Sequence, residues 1–207
     1  MKVFLIFIMM VLSSICHSSG SIVPKRADLY KRDLIREARA VNINAPIALF
    51  AAQIHQESGW RPTAKSAYAA GLTQFTPDTA KWISNIFPEL RDADVYNPVW
   101  AMRALIRYDY KLYDANRKLS KDDCNGWAYA LTGYNGGNGW NSKDRNLARK
   151  KGLDASQYWG VVEFVNSGRR QDFFEENRGY PKRIIIRHQP HYIKYMGMYS
   201  GPKICHF

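Results

Sequence analysis

Apolar side chains recur along this chain with the period of a helix rather than the alternation of a strand. Tyr30, Leu34, Ala38 and Val41 fall on one stripe and predict a helix over residues 27–41. Pro46 stands at a first-turn position ahead of an almost continuous apolar run, Ile47 to Ile54, and Gly59 stands where a helix would end. That pattern predicts a second helix over residues 47–57, with Glu57 at its terminus. Thr76-Pro77-Asp78 offers a cap, a first-turn proline and a first-turn acid, opening a helix to about residue 87 that Pro88 stops. Asn97-Pro98 repeats the device and launches a long helix through Trp100, Leu105, Tyr108 and Leu112. Ser120, three residues before Asp123, forms a weak capping box for a shorter helix toward Tyr134, broken by the glycine-rich stretch from Asn135 to Gly139. Further helices are predicted near residues 145–151, 155–165, 172–177 and 181–196. No alternating segment, internal repeat or linker competes, so the expected fold class is all-α in a single globular domain.

The first twenty residues follow a different rule. Met1-Lys2 places a positive charge before the apolar run Val3 to Leu12, and a weakly polar stretch of mostly small residues follows to Ser21. This is signal-peptide anatomy, and a run of about ten residues is well short of the roughly twenty that span a bilayer. We expect cleavage after Ser18 or Gly20, leaving a domain over residues 21–207 that is exported to the periplasm or secreted and keeps no membrane span. Lipidation at Cys16 is disfavoured by Ile15 just before it. Loss of the leader leaves Cys124 and Cys205 in a compartment where disulfides persist, and both a bridge and two separate thiols fit the sequence.

The formal charge is +12, which points to an anionic partner. The basic residues are dispersed and form no nucleic-acid motif, and an exported protein seldom meets nucleic acid, so no nucleic-acid partner is expected. A cell wall bearing free carboxylates is equally anionic. The five histidines include His188-Gln189-Pro190-His191, yet neither H-E-x-x-H nor a cysteine pair at zinc spacing occurs, and no metal or cofactor is expected. A serine-hydrolase elbow, G-x-S-x-G, is also missing.

The residues richest in chemistry are Gln56-Glu57-Ser58-Gly59-Trp60, then Ala70-Gly71-Leu72-Thr73-Gln74-Phe75, then Gly133-Tyr134-Asn135-Gly136-Gly137. In this order they resemble the E-S, G-L-x-Q and Y-N-G-G motifs of the lytic transglycosylase catalytic domain, the soluble, goose-lysozyme-like kind. The later Glu176-Asn177-x-x-Tyr180-x-x-Arg183-Ile184 resembles that family's closing helix, so the likeness runs from about residue 27 to 195. It implies a lysozyme-like fold with a sugar-binding groove and peptidoglycan glycan strands as the partner of a monomeric enzyme. It fits a phage lysis enzyme and a periplasmic housekeeping enzyme equally.

Breaking a glycosidic bond requires a proton for the departing oxygen and compensation for positive charge at the anomeric carbon. One carboxyl supplies the proton if desolvation keeps it protonated near neutral pH, and Glu57, between an apolar helix and Trp60, has suitable neighbours. The resemblance implies that Glu57 first protonates the leaving oxygen between N-acetylmuramic acid and N-acetylglucosamine. It then takes the proton of the muramic C6 hydroxyl as that oxygen closes a 1,6-anhydro ring. The resemblance also implies substrate contacts for Ser58, Gln74 and Asn135, and for Tyr134 a hydrogen bond that orients Glu57. Gly71 and Gly136 are expected to serve backbone geometry. Thr73 stands where the family usually has methionine near the sugar floor. Trp60, Tyr68, Phe75 and Trp140 are candidates either for stacking on sugars or for the core. Goose-type lysozymes, which hydrolyse, carry extra aspartates after the catalytic glutamate. Here only Asp78 stands there, as a first-turn acid, which favours transglycosylation over hydrolysis; Glu89, Asp92 and Asp94 are the other acids within reach of the cleft. A groove kept only for binding the wall is the non-enzymatic alternative.

Overall fold

The computed structural model describes residues 22–206, so the leader and its cleavage site lie outside the described residues. Among the described residues, eight α-helices carry the fold: α1 (Ala27–Val41), α2 (Ile47–Ser58), α3 (Pro77–Ile86), α4 (Pro98–Arg117), α5 (Asp123–Gly136), α6 (Asn138–Lys150), α7 (Gln171–Pro181) and α8 (Gln189–Met196). Among the described residues there is no strand, only two isolated bridges, Lys65 with Ala70 and Ala70 with Phe75. No helix among them is long and apolar enough to cross a membrane.

Two helices form the interior. Every residue of α2 from Ile47 to Ile54 is buried, and α5 is buried continuously from Asn125 to Gly133. A helix apolar all round must be wrapped by others. Here α8 and the segment before it cover α2, while α4, α6 and α7 surround α5. The long α4 also packs on α1, and Leu34, Ala38, Leu105, Ile106 and Leu131 belong to one core with α2. A smaller cluster of Ala128, Tyr129, Ala148, Tyr158 and Val162 fixes the chain after α6.

The cap signals resolve as side-chain bonds. Thr76 Oγ1 accepts from Thr79 N–H (3.2 Å), and Asn97 Oδ1 accepts from Val99 and Trp100 N–H (3.0 and 3.2 Å). The α5 cap is Asp122, whose Oδ1 accepts from Asn125 N–H at 2.8 Å, whereas Ser120 closes α4 by donating to Asn116 O. The glycine-rich stretch breaks the helix later than expected and only at one corner, Gly137 (φ 88°), after which α6 starts at once. Residues 155–165 do not form the expected helix. Asn125 Oδ1 accepts from both Tyr158 and Trp159 N–H (2.7 and 3.1 Å), and Gly160 turns at φ 76°, so only a short 3-10 segment, Val162–Phe164, remains. Tertiary bonds replace the helix ladder there.

Pro181 neither starts nor stops a helix. The chain continues through it into a π-helical segment, Lys182–His188, and then α8. Widening the coil relieves the clash that a proline ring makes with the preceding turn. Cys124, at the start of α5, and Cys205 in the tail form a disulfide.

Candidate active site

Glu57 stands in the last turn of α2, which Gly59 ends in the left-handed conformation (φ 57°) with its N–H on His55 O. The helix's negative end and the surrounding protein both disfavour a carboxylate there. Glu57 is half-buried, and the Tyr180 hydroxyl of α7 donates to its Oε1. Desolvation pushes the carboxyl up to about 8; the Tyr180 hydrogen bond and Arg183 pull it down, and Glu176 pushes it further up. At neutral pH the acid therefore holds its proton. Burial drives the Tyr180 phenol well above its ordinary value, so that hydroxyl remains a donor.

One turn earlier on α2, Gln53 Nε2 lies 3.4 Å from Asp109 Oδ1 of α4. Asp109 is fully buried, its Oδ2 has no hydrogen-bond partner, and burial pushes its carboxyl well above the usual range. Burial thus disfavours a second negative charge behind Glu57.

The expected phenol comes from a different helix. Tyr134, at the end of α5, donates its hydroxyl to Thr73 O at 2.7 Å and not to Glu57, which is bonded by Tyr180. The two rings are parallel (7°) with centroids 6.3 Å apart, and Tyr134 also meets Tyr108 and Phe75. Tyr134 therefore braces both the tyrosine that holds Glu57 and the loop between α2 and α3.

Ser58 and Gln74 also bond within that loop. Ser58 is buried, and its Oγ donates to Leu72 O (2.7 Å) and accepts from Arg61 N–H (3.1 Å). Gln74, at φ 50°, spends its Nε2 on Gly71 O (2.9 Å) and Ala64 O (3.2 Å). Gly71 is required: a Cβ there would meet Val95 O at 1.8 Å, with φ at 82°. The Ser58 hydroxyl is thus bonded on both sides within the protein and braces the loop. Thr73 likewise turns inward, buried and holding Tyr134 through its carbonyl.

Asn135 is exposed beyond Tyr134, its Oδ1 accepting from Asn177 Nδ2 at 3.1 Å. A Cβ at Gly136 would approach Asn177 Nδ2 to 2.6 Å, so this glycine admits the amide that steadies Asn135. Of the aromatic candidates, Trp60 and Phe75 are core, Trp140 is half-buried beneath Lys143 and Arg169, and Tyr68 is 82% exposed. Asp78 sits in the first turn of α3, Glu89 pairs with Arg107 (2.7 Å), and Asp94 Oδ1 accepts from Tyr96 and Asn97 N–H. None of them bonds Glu57.

A family model described as Transglycosylase SLT domain matches residues 34–157, more than half of the chain. The chain belongs to that family. The match spans Glu57, Gln74 and Tyr134, and the likeness that the three motifs suggested holds. The fold of this SLT domain resembles the crystal structure of the 70 kDa soluble lytic transglycosylase from Escherichia coli, with a TM-score of 0.60 and 22% sequence identity. That alignment covers 84% of this chain and 25% of the larger protein, so the SLT domain spans about a quarter of its relative's length. It bears out the expected all-α, lysozyme-like fold. No curated protein sequence matches the chain.

Proposed function

We propose that this SLT domain cleaves the bond between N-acetylmuramic acid and N-acetylglucosamine in bacterial peptidoglycan without water, leaving 1,6-anhydromuramic ends. Glu57 is the acid and base. Its proton passes to the glycosidic oxygen as the C1–O bond breaks, with the substrate's own acetamido oxygen supporting C1. The Glu57 carboxylate then accepts the C6 hydroxyl proton as O6 bonds to C1, and the acid is restored. The observation that carries this reading is the carboxyl of Glu57, desolvated to about 8 and held by Tyr180. An Asp109 whose charged form is disfavoured by burial and a Glu176 already paired with Arg183 leave substrate assistance to do the work of a second carboxylate.

Around Glu57, we assign the sugar contacts to Asn135 and to the remaining carbonyl oxygen of Gln74, whose amide nitrogen is already bonded. Ser58 and Tyr134 support them through the loop. Tyr68 stands at the edge of a cavity of about 440 Å³ shared with Ala70, Phe75 and Val95, where an aromatic face suits a sugar ring. The site is complete within one chain, which fits a monomer working outside the cytoplasm, where its substrate lies.

Digestion of purified peptidoglycan by the wild type and by Glu57→Gln, followed by mass spectrometry of the muropeptides, tests the proposal. Ends lighter by one water, absent with the variant, are the expected result. Reducing ends would make the protein a lysozyme, and an intact wall would leave only a binding role.

A further inference from the structure

Glu176 and Tyr180 stand one turn apart on α7, Arg183 follows in the π-helical segment, and Tyr180 bonds Glu57. Glu176 and Arg183 therefore flank the phenol, one turn before it and one after. They are joined to each other: the Arg183 guanidinium folds back over Gly179, where a Cβ would meet its Nη1 at 2.5 Å, and pairs with Glu176 Oε1. Both are accessible from solvent, with side chains 29% and 58% exposed, yet the Nε of Arg183 is buried without a hydrogen-bond partner.

Burial disfavours the anionic form of the other titratable groups that act on Glu57. Tyr180 from α7 and Tyr134 from α5 are driven well above the ordinary phenol range by burial, and Asp109 from α4 is pushed well above the usual carboxylate range in the same way. The formal charges left to act on Glu57 are Glu176 and Arg183, which act with opposite signs.

We infer that the Glu176–Arg183 pair is a charge balance that positions the working pH range of Glu57, Glu176 keeping the acid protonated before bond cleavage and Arg183 steadying the carboxylate that follows. Neither residue touches the reacting atoms; both are positioning residues that act through Glu57. The inference rests on Glu57 being the acid proposed above.

The signs follow from the charges. Removing Glu176 withdraws a repulsive neighbour, so the Glu57 carboxyl ionises at lower pH. Removing Arg183 withdraws an attractive one, so it ionises at higher pH. For partly solvated charges a shift of about 0.5 pH in each direction is expected. That corresponds to roughly a threefold change in rate at a fixed pH above the midpoint, lower for Glu176→Gln and higher for Arg183→Gln. Neutralising both returns the midpoint toward the wild type.

The test is a carbon-13 NMR titration of the Glu57 carboxyl in the full chain, assigned by its loss in Glu57→Gln. It is run on the wild type, Glu176→Gln, Arg183→Gln and the double variant, alongside the pH profile of muropeptide release. Opposite displacements in the single variants, cancelling in the double, are expected in both readouts. Displacements of the same sign, or none, would overturn the inference, because a merely structural role does not change sign with charge. Partly exposed side chains tolerate such changes, and circular dichroism checks the fold. A wild type that titrates as described but leaves peptidoglycan uncut would refute the proposed function and spare the charge balance.

Discussion

One buried and one half-buried carboxyl of this domain have opposite surroundings. Asp144 of α6 receives Arg178 Nη2 at 2.6 Å, a second guanidinium from Arg169, and both Ser167 N–H (3.0 Å) and Oγ–H (2.5 Å). Glu57 receives a single phenol and is pushed to about 8. The first is a charge surrounded by donors, and through Arg169 and Asn177 it secures the end of α5 beside Asn135. The second is an acid left short of donors, so it keeps its proton until a substrate oxygen takes it. Donors hold Asp144 in a structural network, and their scarcity at Glu57 leaves that acid a proton to give.

The largest test of that contrast is Glu57→Gln. Cleavage should fall by about a thousandfold or more. The same change should stabilise the fold, because a group raised from 4.5 to about 8 opposes folding progressively as pH climbs through that interval. Thermal unfolding should show no gain at pH 4 and a gain of roughly 2–4 kcal/mol above pH 8. A gain equal at both extremes would remove the desolvation argument.

Asp144→Ala should act in the opposite sense. It strands two buried guanidinium groups and should destabilise by about 3–5 kcal/mol in denaturant melts. An unchanged midpoint would show that those arginines find other partners. Tyr180→Phe should slow muropeptide release about tenfold and move the Glu57 titration upward, since the lost hydrogen bond favours the carboxylate. A downward move would contradict the bonding described. Asp109→Asn should change the rate at neutral pH least, by about threefold or less, because the amide mimics an acid already neutral. A large loss would mean that Asp109 ionises during turnover.

What sequence revealed, and what it hid, divides along the same line. Bounds of α1, the end of α2 at Gly59 and the caps at Thr76 and Asn97 are local chemistry, and each lies where the residues predict it. The family motifs brought out Glu57 and its loop. Tyr180 was visible only as part of a closing helix, because a separation of 123 positions from Glu57 leaves no local sign of the bond. Its spacing with Glu176 and Arg183 was the available signal. Asp109 looked like an ordinary position within α4, since only packing against Gln53 shows that it is buried. The helical pattern of residues 155–165 fails because Asn125, more than thirty positions away, takes the N–H groups of Tyr158 and Trp159.

The disulfide gives the molecule a closed covalent ring running from Cys124 to Cys205. Tyr134, Asn135, Asn177 and Tyr180 lie on the ring, whereas Glu57 and the loop through Gln74 lie on the thread outside it. The acid and the phenol that holds it thus belong to separate topological pieces, clasped face to face. A protease cut at the surface turn around Gly168 would open the ring without releasing a fragment, so the segment carrying Asn177 and Tyr180 would stay tethered until the cystine itself was reduced.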